Sequence, residues 1–196
     1  MRAPTTGSAE HSSHRESSLK PSPKVSWEPN LIGRIYGSAR RFPEAKAVFE
    51  RALAIDPAFS YAHWHYGEML QVSGDLKGAA AEYAKASTGN NTPEPIALSG
   101  QLAAIMGRSE EARQALTALD ELEKHRYVDF FWRALLYLGL GDKDRALHFL
   151  EQSYANNEGY EIGLIKVDPM LDSLRAEPRF QALVKKVRGR REEAKL

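Results

Sequence analysis

The chain has 196 residues, 42% of them apolar and 27% charged, with a formal net charge of +1 and no cysteine. That length suits one body with a sizeable core, and the charge balance gives no general attraction to nucleic acid or anionic lipid. The absence of cysteine excludes disulfides, thiolate metal sites and cysteine nucleophiles.

Residues 1–25 carry serine at 8, 12, 13, 17, 18 and 22 and proline at 4, 21 and 23, with few apolar residues and no periodicity. This composition reads as a disordered arm, because it has too little apolar surface to offset the entropy of ordering. His11 and His14 lie within it and are expected to be solvated. No apolar stretch follows Met1 and Arg2 as it would in a secretory signal, and no run reaches the roughly 20 residues that span a bilayer. A cytoplasmic location is the expectation.

From Ser26 the chain repeats itself. Ile32, Gly33, Tyr36, Ala45, Phe49 and Ala52 recur 34 residues later as Tyr66, Gly67, Leu70, Ala79, Tyr83 and Ala86. A third copy gives Gly100, Ala103, Ala112, Leu116 and Leu119, and a fourth Ala134, Tyr137, Ala146, Leu150 and Ser153. Gly74, Gly107 and Gly141 share one phase, where one helix stops and the chain turns; the first copy has Arg40 there. Small residues at the Gly33 and Ala45 phases predict close approach of two helices within each repeat. The 45/49/52 spacing places one face of the second helix against the first. Pro57 ends the second helix of the first copy.

This period and residue set resembles the tetratricopeptide repeat, a helix–turn–helix unit of about 34 residues. The resemblance implies an all-α fold: a right-handed superhelix, or α-α solenoid, of about four repeats (26–59, 60–92, 93–126 and 127–158), followed by capping helices over 159–196. The third copy lacks an aromatic at Ala103 and Leu116, and the fourth has Arg133 where an apolar residue is usual. Residues 161–187 are similar to the closing segment that follows such arrays in bacterial multidomain regulators. Within that segment Phe180, Leu183 and Val187 share one helical face and are expected to close the array, with Pro178 in the first turn.

The family resemblance implies a concave groove lined by the first helix of each repeat. Groove-facing positions are then Asn30, Arg34, Tyr61, Trp64, His65, Glu68, Gln71, Gln101, Phe131, Trp132 and Leu135. The alternative for the aromatics is a core role, because aromatic residues dominate both cores and binding hot spots. A carboxylate clamp of the co-chaperone kind is disfavoured, since Ala97 and Gln101 stand where cations are needed.

The remaining polar residues suggest no catalysis. His63 and His65, two apart on a helix, diverge and suit no shared metal, whereas His65 and Glu68 share a face as a hydrogen-bonded pair. Gly139 and Gly141 lack the lysine and hydroxyl of a phosphate loop. Glu110, Glu111, Asp142 and Asp144 suit helix N-termini. Residues 184–196 hold six lysines and arginines against two glutamates, without interleaved aromatics, and so read as a solvated basic end. The expected function is a non-catalytic protein- or peptide-binding scaffold without metal or cofactor; a nucleic-acid-associated module using the basic tail and self-association through repeat ends are the alternatives.

Overall fold

The computed structural model describes residues 27–88, 92–156 and 160–193; the arm expected over 1–25 lies outside them. Eight helices form four antiparallel pairs: α1 (Trp27–Ser38) with α2 (Phe42–Ile55), α3 (Ser60–Ser73) with α4 (Leu76–Ala86), α5 (Pro93–Ile105) with α6 (Ser109–Glu123), and α7 (Phe130–Gly139) with α8 (Lys143–Ala155). Each pair packs on the next, and the first helices also touch in succession, α1 on α3, α3 on α5 and α5 on α7. The result is the all-α solenoid that the period predicts.

The turn inside each pair has one chemistry. Gly74, Gly107 and Gly141 have φ of 93°, 80° and 80°. The following amide reaches back five residues: Asp75 to Leu70, Arg108 to Ala103 and Asp142 to Tyr137, at 2.8–2.9 Å. This closes the carbonyls left open at a helix end, and the left-handed conformation suits glycine. Arg40 departs from the sequence pattern but not from the backbone: its φ is 58°, and Arg41 bonds to Tyr36 in the same way. Asp75 and Asp142 then cap α4 and α8, each accepting from a backbone amide three residues on at 2.9 Å.

Small residues permit the close pairing. A Cβ at Gly33 would lie 2.6 Å from the Phe49 ring, and one at Gly67 2.5 Å from that of Tyr83. Ala45, Ala79, Ala112 and Ala146 are fully buried at the matching phase of the second helices. In the fourth pair Arg133 is buried yet satisfied, its guanidinium paired with Asp120 and Glu123, so the position that breaks the apolar pattern takes its partners from α6.

The closing segment does more than cap the end. Two 3-10 segments, Glu161–Leu164 and Pro169–Leu174, precede helix α9 (Pro178–Glu193). Ile162, Ile165, Leu171 and Leu174 join the core that contains Trp64, Leu98, Leu102 and Leu135, all of them on first helices. Phe180 and Leu183 of α9 join it too, with Val187 partly buried beside them. Arg175 fixes the crossing by donating to the carbonyls of Ile165, Lys166 and Asp168 while its guanidinium lies over the Phe180 ring. Ion pairs from Arg34 to Glu161 and from Arg40 to Asp172 tie the first pair to residues more than 120 positions away.

Candidate functional site

The face formed by the first helices is therefore covered from 160 to 175, and a cavity of about 390 Å³ remains between α1, α3 and this cover. Its walls are apolar: Leu31 and Ile35 from α1, Met69 and Val72 from α3, Leu164 and Met170 from the closing segment. Gly37 leaves the α1 side of the space open, since a Cβ there would point toward Met69 across it. A polar cluster of Arg34, His65, Glu68 and Asp168 also lines the cavity.

The cluster has internal order. Arg34 Nη2 donates to Glu161 at 2.8 and 3.1 Å, and its guanidinium lies 5.4 Å from the centre of the Tyr160 ring. His65 Nδ1 lies 2.8 Å from Glu68 Oε2, one helical turn along α3. Asp168 accepts from the backbone amide of Met170 at 2.8 Å, capping the second 3-10 segment. Burial, with a smaller contribution from Arg34, holds the His65 imidazole well below its usual pKa, so the ring is neutral and donates from Nδ1 to Glu68. Burial raises the carboxyl of Asp168 to about 7, with the charge of Glu68 adding to it. Burial likewise raises Glu68 and Glu161, and Arg34 opposes this for both. Three carboxylates thus share one arginine.

Comparison with known families decides the assignment. Models described as tetratricopeptide repeat match residues 30–94 and, separately, residues 130–159. The chain carries tetratricopeptide repeats. The matches take in the first two helix pairs and the fourth. Most of the third pair, where Ala103 and Leu116 replace aromatics, lies between them, and neither match extends beyond residue 159 into the closing segment. Among curated proteins none matches the chain. Repeats of this family form protein-interaction scaffolds, and among the described residues no helix is long and apolar enough to cross a membrane.

In this tetratricopeptide-repeat protein the groove positions expected from sequence divide into groups. Arg34, His65 and Glu68 come together on the cavity wall. Trp64, Phe131, Trp132 and Leu135 are core residues: Trp64 stacks on His65 at 4.4 Å and meets Trp132 edge-on at 5.2 Å, and Trp132 meets Phe131 edge-on at 5.3 Å. Gln71 and Gln101 are buried in a short amide chain. Gln71 donates to Gln101 at 3.3 Å and accepts from the Tyr83 hydroxyl at 3.1 Å. Tyr61 is exposed beside Phe59 and Trp64. Asn30 is half-buried, and its Oδ1 is buried without a hydrogen-bond partner among the described residues, whereas the Trp64 indole lies beside the Glu68 carboxylate.

The sequence reading missed Tyr160, Glu161, Asp168 and Met170 because it placed the closing segment at the end of the array rather than along its inner face. The one available signal was Asp168-Pro169, a helix-start pair that holds the segment at a fixed angle. Elsewhere His63 is spent on Glu82, at 2.6 Å, and on the carbonyl of Pro57, at 2.9 Å. In the basic tail Arg190 donates to the carbonyl of Tyr154 and lies 3.9 Å from its ring centre, so part of that charge serves to dock α9, while Lys185, Lys186 and Arg188 are exposed.

Proposed function

We propose that this chain is a non-catalytic scaffold, working in the cytoplasm, that holds a peptide segment of a partner protein in the cavity between α1, α3 and the closing segment. The cavity itself carries the reading. Its volume of about 390 Å³ falls within the roughly 300–1,000 Å³ of ligand pockets, and it has the usual composition of apolar walls with a few polar groups. The polar groups engage one another, Arg34 with Glu161 and His65 with Glu68, which suits orientation of a ligand better than attack on one. The family's role as an interaction scaffold supports the same conclusion.

Gly37 offers the test. A Cβ there would meet Met69 at an ordinary 3.6 Å, so Gly37→Leu fills the cavity while leaving the helix in place. Peptides selected on the wild-type chain from a random display library should bind this variant at least about tenfold more weakly by calorimetry, the loss expected when a central pocket is closed. Equal affinity in a variant of unchanged melting temperature would move the site elsewhere on the surface.

A further inference from the structure

We infer that the cavity selects a peptide segment in which a lysine or arginine is flanked by apolar side chains, a specificity that rests on the peptide-binding reading above. The argument is one of unbalanced charge inside apolar walls. Arg34 is committed to Glu161 through both carboxylate oxygens. Glu68 meets the His65 imidazole and the Trp64 indole, and Asp168 a backbone amide; among the described residues neither forms an ion pair with a lysine or arginine. Glu68 and Asp168 thus face a space in which Arg34, already paired with Glu161, is the one lysine or arginine among the described lining residues, and the fold holds them there at the cost of their desolvation.

An aliphatic stem ending in a positive charge answers both features. Its methylenes lie against Met69, Val72 and Met170, and its charged end reaches Glu68 and Asp168. At the mouth Ile35 and Val167 are 58% and 52% exposed, which provides apolar contact for the residues on either side of the cation. An acidic residue or a free C-terminal carboxylate would add negative charge beside the carboxylates, and could reach Arg34 only by displacing Glu161. A wholly apolar segment would exclude water from Glu68 and Asp168 and give them nothing in return.

The test uses the full chain labelled at its methionine methyl groups. Met69 and Met170 report on the cavity wall, while Met106, exposed at the end of α5, reports on the rest of the fold. The probes are capped peptides of sequence Ala-Leu-Lys-Leu-Ala, with arginine, norleucine or glutamate in place of the lysine; norleucine keeps the stem and removes the ammonium. The lysine and arginine peptides should shift Met69 and Met170 but not Met106, and bind about tenfold more tightly than the norleucine peptide, as for one close charge pair. The glutamate peptide should bind most weakly. Glu68→Gln and Asp168→Asn should each reduce the ratio of lysine-peptide to norleucine-peptide affinity. The two variants are independent, so one that perturbs Met106 leaves the other to decide.

Norleucine or glutamate peptides that bind as well as the lysine peptide would overturn the charge specificity and leave peptide binding standing. A lysine preference that survives in both variants would overturn it as well. Peptides that move neither Met69 nor Met170 at millimolar concentration would sink the cavity reading along with the inference. Shifts of Met69 and Met170 with protein concentration alone would seat a second copy of the chain there instead.

Discussion

Gly67 and Gly107 are both glycine for physical reasons, and the reasons differ. At Gly67 the constraint is space: a Cβ would lie 2.5 Å from the ring of Tyr83, which is fully buried and anchored through its hydroxyl to Gln71. At Gly107 there is open space, and the constraint is a φ of 80°. Gly67→Ala should therefore lower stability by about 1–3 kcal/mol through overpacking, and Gly107→Ala by about 1–2 kcal/mol through the left-handed backbone alone. Urea melts of the two variants check this, and a neutral Gly67→Ala would mean that the helix pairing is looser than the structure has it. Asp168 offers a test by pH. Its carboxyl is raised to about 7 in the folded chain from an ordinary 3.8, so between those values the folded state binds the proton that the unfolded state has lost. Its contribution to stability is then present below pH 4 and is lost as pH rises toward 7. Asp168→Asn keeps an oxygen to accept from Met170 and removes the titration. Its stability relative to wild type should therefore rise between pH 4 and pH 8 in thermal melts, whereas a constant difference would show that Asp168 is ordinarily solvated. The neutral His65 acts in the opposite sense below pH 6.5, which is why the comparison is made between variant and wild type rather than on either alone.

Among the elements, α9 combines two duties. Phe180 and Leu183 complete the core left open after α8, as a terminal helix of a repeat array must, and Phe180 also receives the Arg175 guanidinium that pins the segment crossing the inner face. Truncation after Glu177 should consequently cost about 3 kcal/mol or more, the scale of deleting a large buried aromatic, and should lead to aggregation in light scattering. A shortened chain that stays monomeric with an unchanged melting temperature would show instead that α9 is a dispensable appendage. Phe180→Ala alone should account for much of the loss, since its side chain is only 1% exposed.

Across the whole molecule, the ion pairs from Arg34 to Glu161 and from Arg40 to Asp172 make this solenoid less linear than its repeats suggest. In a simple stack each repeat touches only its neighbours, so the terminal pair frays first. Here α1 is held by residues at the opposite end of the sequence, and amide exchange in α1 should be nearly as slow as in α3 and α5. Replacing Arg34 and Arg40 together by methionine should speed exchange in α1 by about tenfold or more, because a partly buried carboxylate is left without its partner. Hydrogen exchange by mass spectrometry measures this, and α1 exchange that is already fast in the wild type would mean that the tie contributes nothing.

The amino-acid sequence by itself determined the repeat and its internal geometry. The 34-residue period, the glycines at 74, 107 and 141, and the pairing of Gly33 with Phe49 and Gly67 with Tyr83 are local constraints, each satisfied within one helix pair. The burial of Phe180 and Leu183 was legible for the same reason, from their spacing on one helix. Whether Trp64, Trp132 and Leu135 would face a groove or a core was not legible, because an apolar side chain on a first helix suits either outcome equally well. That was decided when Ile162, Ile165, Leu171 and Leu174 settled on the same face. Periodicity records the face a helix buries against its neighbours in the array. It carries no trace of a segment a hundred residues away that lies across the opposite face and leaves Arg34, His65, Glu68 and Asp168 around what space remains.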